Sequence, residues 1–416
     1  MYEYRVKVEE GMIEGNLIKD KGVVEFLRIP YALPPVGELR WKAPLPMAHW
    51  QGTRKSDRRE IAGIQTKGWF GGNMDFSMLE RSEDCLYLNI WKPESMKKDI
   101  PVYVWYHGGG FQGGFNGDPM FNGEFLAMRG IILVTVNYRL GTMGFFCHPD
   151  LEKESPYGTS GNYGFMDQIA ALKWVKKNIS AFGGDPDNIT IGGQSAGGMS
   201  VSLLMTKNDG LFKKAVCESG DAILSGRRSD NYKEMVEAGL EVERILGVKG
   251  IDELRKLPAD RFVREDYDIA AETRVGRFDP VQDGKVIPKD LTKVILEDRR
   301  TEKLIIGSNR DEGFMTADSV NELKACVKEI AGDLTDRFLE YYGAEDDAEA
   351  RDMIKKFGSD EWHMRLKYWA KKRAEKGLET WQYYFTKDFY NPGVGYTGLY
   401  WPVSTLETAP PPIPMR

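Results

Sequence analysis

Short runs of apolar residues recur along the chain, and most of them end at a glycine-rich or polar segment. They lie at 102–106, 131–137, 189–191, 303–307 and 381–385. A strand that is buried on both faces of a sheet is apolar along its whole length. The five runs therefore predict buried, parallel strands.

Segments with apolar residues at helical spacing lie between these runs, at 167–178, 232–246 and 361–376. Strands that alternate with helices predict an α/β fold with a mostly parallel central sheet flanked by helices. Ligands of such sheets bind beyond the carboxyl ends of the strands. The segments that follow the apolar runs are therefore the first places to look for a functional site.

The pattern changes after Tyr390. Residues 391–416 contain six prolines, and their only charged residues are Glu407 and Arg416. Proline at this density is incompatible with a regular helix. We predict one domain over 1–416, in which 391–416 is a divergent, proline-rich tail.

The composition narrows the range of partners. The chain has 416 residues, of which 41% are hydrophobic, and a net charge of −6 without a basic run. Neither nucleic acid nor a membrane is expected as a partner, and the apolar runs are too short to span a bilayer. The sequence leaves the oligomeric state open.

The cysteines and the amino terminus predict a location. Cys85, Cys147, Cys217 and Cys326 do not have the spacing of a metal site, and the charged amino-terminal segment does not resemble a secretory signal. Reduced cysteines are typical of cytoplasmic proteins. We therefore expect a cytoplasmic protein without a bound metal.

The most informative motif is Gly193-Gln194-Ser195-Ala196-Gly197, which fits G-x-S-x-G. This pattern places a nucleophilic serine on a sharp turn between a strand and a helix. A plain glycine-rich turn is the alternative. An apolar run before the motif and a helix-like segment after it favour the nucleophile.

Several segments resemble signatures of the type-B carboxylesterases, the carboxylesterase and cholinesterase branch of the α/β-hydrolases. They include "SEDCLYLNI" (82–90), "YHGGGFQGG" (106–114), "FGGDPDNITIGGQSAGG" (182–198) and "LIIGSNRDEG" (304–313), which occur in the order of the family. The resemblance covers about 8–388. It implies an α/β-hydrolase fold whose C-terminal part is incomplete, a small-molecule ester substrate and no cofactor.

The resemblance also implies roles for individual residues. Ser195 matches the nucleophile, and Gly109, Gly110 and Ala196 match the residues whose backbone amides form the oxyanion hole. Glu312 matches the acid of the triad. Its neighbour Asp311 is the rival candidate, and a solvated loop charge is the alternative for both carboxylates.

Aromatic residues flank the candidate site. Trp69, Phe70, Phe111 and Phe115 suggest an apolar pocket for the acyl or alcohol group of the ester. Ordinary core packing is the alternative, because aromatic side chains more often serve that purpose.

The histidine that would act as the general base of the triad is not evident in the sequence. The triad of this fold follows the order serine, acid, histidine. His49, His107 and His148 precede Ser195, and only His363 follows Glu312, within a predicted helix. A triad histidine belongs on the loop after the next strand, but 387–401 contains none.

Three interpretations of this gap stay open. The chain is a truncated or frame-disrupted esterase, a natural relative that has lost its base, or an enzyme whose base comes from elsewhere. The first is favoured because the motifs and the charged composition stop together after residue 390. The predicted function is a serine carboxylic-ester hydrolase that acts through an acyl-enzyme on Ser195. The alternative is a catalytically impaired relative that acts as a non-catalytic binding protein.

Overall fold

The computed structural model describes residues 4–57, 61–66, 79–95, 98–223, 231–264, 266–312 and 315–386. Trp69, Phe70 and the tail at 391–416 lie outside these described residues. The strands are β1 Arg5–Lys7, β2 Met12–Glu14, β3 Asn16–Ile18, β4 Val23–Pro30, β5 Thr53–Lys55, β6 Ile61–Ala62, β7 Glu80–Arg81, β8 Tyr87–Pro93, β9 Ile100–Tyr106, β10 Ile132–Val136, β11 Gly184–Gln194, β12 Lys214–Glu218, β13 Lys303–Asn309 and β14 Thr380–Phe385.

The α-helices of the described chain connect and cover these strands. They are α1 Glu124–Met128, α2 Gly141–Phe145, α3 Pro149–Glu154, α4 Tyr163–Asn178, α5 Ala196–Met205, α6 Tyr232–Leu246, α7 Ile251–Lys256, α8 Leu291–Glu297, α9 Val320–Ala331, α10 Thr335–Tyr342 and α11 Asp347–Ala374. Within the described ranges, no helix has both the length and the apolar character that crossing a bilayer requires.

Nine of the described strands form one sheet in the order β14-β13-β12-β11-β9-β10-β8-β4-β3. The pairings from β10 through β9, β11, β12 and β13 to β14 are parallel, whereas β3, β4 and β8 are joined to one another and to β10 by antiparallel pairings. The predicted mostly parallel sheet with flanking helices is therefore confirmed, and an antiparallel amino-terminal part is added to it.

All five predicted strands and all three predicted helices are present. The predicted burial is wrong for β14, none of whose residues is buried, because it lies at the edge of the sheet in the described chain. The third helix is much longer than predicted, because α11 begins at Asp347 rather than near residue 361. Strand β12 was not predicted. Only Ala215 and Cys217 are buried in it, so its apolar pattern is too short to stand out in the sequence.

The helices α5 and α11 pack against one face of the parallel part of the sheet. Val104, Ile191, Ala215 and Leu304 lie side by side on this face and are fully buried. Leu366 of α11 belongs to the same apolar core. This core places the carboxyl ends of β9, β11, β12 and β13 next to one another, where the candidate motifs lie.

The opposite face is covered unevenly. Trp105 of β9 packs with Leu126 of α1 in a second apolar cluster. Ile305 of β13 and Trp381 of β14 lie in register with Trp105, three and four strands away from β9, and are 43% and 50% exposed. The sheet is therefore covered on this face near β8, β9 and β10, and leaves apolar side chains in solvent near β13 and β14.

Candidate active site

Ser195 occupies a strained turn between β11 and α5. Its backbone has φ 56° and ψ −122°, a conformation that costs free energy for a residue with a side chain. Two backbone hydrogen bonds hold the turn: the Ser195 N–H donates to the Glu218 carbonyl at 2.9 Å, and the Met199 N–H donates to the Ser195 carbonyl at 2.9 Å. The serine is thus presented at the carboxyl end of β11, as the motif predicts.

The glycines of the motif allow the backbone to pack closely around this turn. A Cβ on Gly197 would lie 2.0 Å from the Tyr106 carbonyl oxygen, and one on Gly193 would lie 2.5 Å from the Gly197 carbonyl carbon. Neither position has room for a larger residue, because the obstructing atoms belong to the backbone. The spacing of the two glycines around Ser195 is therefore a packing requirement as well as a sequence signature.

A second glycine-rich loop, residues 108–110, follows β9 and lies against the serine. A Cβ on Gly108 would be 3.3 Å from the Ser195 Cβ and 2.8 Å from the Gln194 carbonyl oxygen. Gly109 and Gly110 have φ values of 107° and 58°, which favour glycine. The structure thus brings together the two motifs that the sequence separates by about eighty residues.

The backbone amides assigned to the oxyanion hole are available. Among the hydrogen bonds of the described residues, none uses the N–H of Gly109, Gly110 or Ala196 as a donor. Ala196 is also the first residue of α5, where the helix leaves its N–H groups without internal acceptors. Unpaired amides beside a nucleophile are the arrangement that stabilises an oxyanion. Their roles stay a prediction.

The end of β12 connects the serine to the acid. Ser219 has a φ of 44° and donates a hydrogen bond from its hydroxyl to Oε1 of Glu312. The next residue, Gly220, packs so closely that a Cβ there would lie 2.1 Å from the Ser195 carbonyl oxygen. Sequence reasoning missed this segment. Its only signal is the small pair Ser219-Gly220 after a weak strand pattern.

Glu312 is buried and held by hydrogen bonds on both sides. Its Oε1 accepts the Asn309 N–H at 2.7 Å, and its own N–H donates to the Ser359 hydroxyl of α11 at 2.9 Å. Burial raises the pKa of this carboxyl, and the hydrogen bonds from Ser219 and Asn309 oppose that rise. Asp311 is exposed and pairs with Arg310 at 2.9 Å. The geometry therefore favours Glu312 as the acid.

Comparison with known proteins shows the family of this chain. The model of the carboxylesterase family matches residues 3–389. The chain belongs to the carboxylesterase family. It is 35% identical over 390 residues to fumonisin B1 esterase of Sphingopyxis macrogoltabida, and this match covers 91% of this chain and 70% of that protein. It is 38% identical over 327 residues to para-nitrobenzyl esterase of Bacillus subtilis (strain 168), and this match covers 76% of this chain and 64% of that protein.

The fold comparison points the same way. A solved structure of a PNB esterase superposes with a TM-score of 0.80 at 31% identity, and the match covers 95% of this chain and 81% of that one. The predicted α/β-hydrolase fold is thereby confirmed, as is the class of a carboxylesterase-type hydrolase at the level of the family.

Two histidines of this carboxylesterase have structural partners away from the serine, and a third is simply exposed. His49 lies exposed on the surface. His148 caps α3: its Nδ1 accepts the Asp150 N–H at 3.1 Å, so its Nε2 carries the proton and lies 2.9 Å from the Glu243 carboxylate. His363 of α11 contacts the Ser308 hydroxyl through Nδ1 at 3.3 Å.

His107 lies next to the glycine-rich loop but faces the core. It is buried, its ring stacks on Tyr138 at 4.4 Å, and its Nδ1 lies 2.8 Å from the Gly108 carbonyl, to which it must donate. Burial lowers the pKa of His107 to about 4. Within the described part of the chain, no imidazole makes a hydrogen bond or ion pair with Ser195 or Glu312.

The predicted aromatic pocket is only partly described. Phe111 and Phe115 are 5% and 3% exposed, and Phe111 packs edge-to-face on Phe145 at 5.5 Å. Both side chains belong to the interior beside the glycine-rich loop. This placement fits the core-packing alternative, and their contribution to a substrate pocket stays a prediction.

Proposed function

We propose that this chain is a serine carboxylic-ester hydrolase that forms an acyl-enzyme on Ser195. The observation that carries the proposal is the position of the glycine-rich loop. Gly108 packs against Ser195, and the N–H groups of Gly109, Gly110 and Ala196 have no acceptor among the described residues. A strained serine beside three available amides fits acyl transfer and has no evident purpose in a packing role.

The proposed reaction has two steps. Ser195 Oγ attacks the ester carbonyl, the three amides stabilise the oxyanion, and the bond to the alcohol breaks as the serine proton passes to the leaving oxygen. Water then adds to the acyl carbon, one of its protons passes to Ser195 Oγ as the bond between Oγ and the acyl group breaks, and the carboxylic acid leaves. The proposed role of Glu312 is to orient and stabilise a protonated imidazole.

The described residues do not provide a histidine for the proton transfers of this reaction. No described imidazole is hydrogen bonded to Ser195. Removing the histidine of a serine-protease triad lowers turnover about a millionfold, and the oxyanion hole and substrate binding provide what remains. We therefore propose that residues 1–416 turn over esters very slowly.

The alternative is an impaired relative that acts as a binding protein. It is not favoured, because a binding surface has no need for Ser195 in a costly backbone conformation beside unpaired amides. The retained nucleophile and loop are explained by ester hydrolysis.

The proposed substrate is a small-molecule ester with an apolar acyl or alcohol group. Two relatives are named as esterases of fumonisin B1 and of para-nitrobenzyl esters, which supports a small ester without deciding which one. We further infer a cytoplasmic location, which the four unpaired cysteines support. Neither nucleic acid nor a membrane is proposed as a partner.

An organophosphonate probe tests the nucleophile. We expect slow covalent labelling of the folded chain at Ser195, because the amides can bind the phosphonyl oxygen even without a base. Ser195→Ala should abolish the added mass, and Ser180→Ala, at an exposed serine, should retain it. Absence of label on Ser195 in the folded chain would favour the binding protein.

A further inference from the structure

Strand β14 is the outermost strand of the sheet in the described chain. Its sequence, "TWQYYF", contains no charged residue, no proline and no glycine. Natural proteins usually protect an edge strand with charges, proline or a bulge, because its unpaired backbone groups can bind another strand. An edge composed of aromatic residues, threonine and glutamine is therefore suited to pairing.

The hydrogen bonds to β13 show which backbone groups of β14 remain for a partner. The Leu304 N–H donates to the Glu379 carbonyl, and the Arg310 N–H donates to the Phe385 carbonyl. Because successive residues of a strand point their backbone groups to opposite sides, the odd-numbered residues face β13. The N–H and C=O groups of Thr380, Gln382 and Tyr384 therefore point away from the sheet.

Exposed apolar side chains flank this edge on both faces of the sheet. Trp381 is 50% exposed on one face, beside Ile305. Tyr384 is 44% exposed on the other face, where it packs against the ring of His363. A strand that is added to β14 would cover apolar side chains above and below the sheet.

The edge is complementary to itself. If a second β14 lies antiparallel with the two-fold axis at Gln382, Thr380 pairs with Tyr384 of the second copy, and the two Gln382 residues pair with each other. Each of these pairs can exchange two backbone hydrogen bonds.

The neighbouring side chains match in the same arrangement. Trp381 lies opposite Tyr383 of the second copy on one face, which is a favourable aromatic pair. Glu379, at the start of the strand, comes beside Phe385 of the second copy, where the Arg310 side chain lies and donates to the Thr386 carbonyl. Glu379 and Arg310 have opposite charges, their side chains are 54% and 44% exposed, and within the chain they pair with Lys303 and Asp311.

We propose that β14 pairs with β14 of a second copy of this chain, which joins the two nine-stranded sheets into one across a two-fold axis. This inference concerns assembly and does not depend on the proposed ester hydrolysis. The occupant of the edge is a second copy because the strand is uncharged, pairs with itself without a clash of like charges and brings opposite charges together at both ends.

Sedimentation equilibrium of the full chain tests the proposal. We expect a reversible monomer–dimer equilibrium and, for Trp381→Lys, at least a tenfold weaker dimer. Tyr341→Lys, at a residue that is 70% exposed on α10, is the matched control and should leave the equilibrium unchanged. Tyr384→Lys provides a second edge variant if thermal melting shows that Trp381→Lys does not fold.

A charge reversal tests the orientation. Glu379→Arg and Arg310→Glu should each weaken the dimer, and the double variant should restore it, because only an antiparallel pair brings these residues together. A monomer at every soluble concentration would overturn the proposal. So would an open-ended aggregate, or a dimer that Trp381→Lys and Tyr384→Lys leave unchanged.

Hydrogen exchange provides a readout that needs no variant. The amides of Gln382 and Tyr384 should become protected as the protein concentration rises, while those of Trp381 and Tyr383, which face β13, should be protected at every concentration. Protection of Gln382 and Tyr384 that does not depend on concentration would mean that the chain covers its own edge, and would overturn the proposal.

Discussion

The two sides of the candidate site are held in different ways. Around Ser195 the geometry is set by the backbone: a strained turn, two backbone hydrogen bonds and glycines packed against carbonyl groups. Around Glu312 it is set by side chains from distant segments, Ser219 and Ser359, next to strands that leave Ile305 and Trp381 in solvent.

This difference shows which of the predicted catalytic groups the described chain contains. The predicted nucleophile and the amides predicted for the oxyanion hole come from two short loops at adjacent strand ends, and every part of them is described. Glu312, the predicted acid, is also described, but within the described residues no imidazole joins it to Ser195. A nucleophile and its base act as a unit. A chain that has the nucleophile but lacks the base is therefore expected to lose most of the catalytic rate.

The largest expected effect comes from supplying the missing base. We expect that replacing 387–416 with the corresponding carboxyl-terminal segment of the para-nitrobenzyl esterase relative will raise kcat/KM for p-nitrophenyl butyrate by several orders of magnitude. The reason is that a base then completes the triad, which is worth up to about a millionfold. Ser195→Ala in the chimera should abolish the gain.

The unmodified chain provides the necessary comparison. Its turnover should be close to background and should not change in His363→Ala, because His363 contacts Ser308 rather than the serine or the acid. High activity of residues 1–416 that His363→Ala abolishes would identify His363 as the base. A folded chimera without any gain would show that a missing base is not the defect.

The next largest effect concerns the acid in the repaired chimera. Glu312→Gln should lower kcat by about ten-thousandfold, because a neutral amide cannot stabilise the imidazolium and favours the wrong tautomer. Asp311→Asn is the matched control and should stay within about twofold, since Asp311 is exposed and pairs only with Arg310 in the described structure. A loss of kcat that is larger in Asp311→Asn than in Glu312→Gln would identify Asp311 rather than Glu312 as the acid.

The free energy of unfolding of two glycine variants tests how tightly the turn at Ser195 is packed. Gly197→Ala should lower the free energy of unfolding by about 3 kcal/mol, because its Cβ would overlap the Tyr106 carbonyl oxygen. Gly377→Ala, which follows α11 at φ 71° with open space around it, should cost about 1 kcal/mol through backbone strain alone. Urea denaturation measures both. Equal losses would contradict the picture of a tightly packed nucleophile turn.

The smallest expected effect is a pH dependence of stability that comes from His107, next to the glycine-rich loop. The pKa of His107 is about 4 in the folded chain, below the 6.5 of an unperturbed histidine, so the unfolded state takes up a proton first as the pH falls. Stability should therefore be lost as the pH falls from about 7 to about 5, by about 2 kcal/mol.

Comparison of variants isolates this contribution. His107→Gln should lack that part of the pH dependence in urea denaturation, whereas His49→Gln, at an exposed position, should keep it. An unchanged slope in His107→Gln would show that the buried ring is not the source of the effect.

Much of the fold and of the nucleophile side could be predicted because the signals are local. Ser195 lies within a strand, a turn and a helix that are contiguous in sequence, and the period of apolar residues identifies the strand and the helix. Strand β12 and Ser219 escaped prediction because a five-residue strand with two buried residues has hardly any pattern. The importance of Ser219 depends on Glu312, which lies 93 residues further along the chain.

By itself, the sequence determined the class of fold, the serine turn, the glycine-rich loop and the absence of a histidine after residue 363. Each of these follows from residue types over short distances along the chain. Only the tertiary structure decided that Glu312 rather than Asp311 is buried, that Ser219 contacts it, and that Ile305 and Trp381 stay exposed. Burial depends on which strands and helices become neighbours, and that is a property of the packed chain rather than of any single segment.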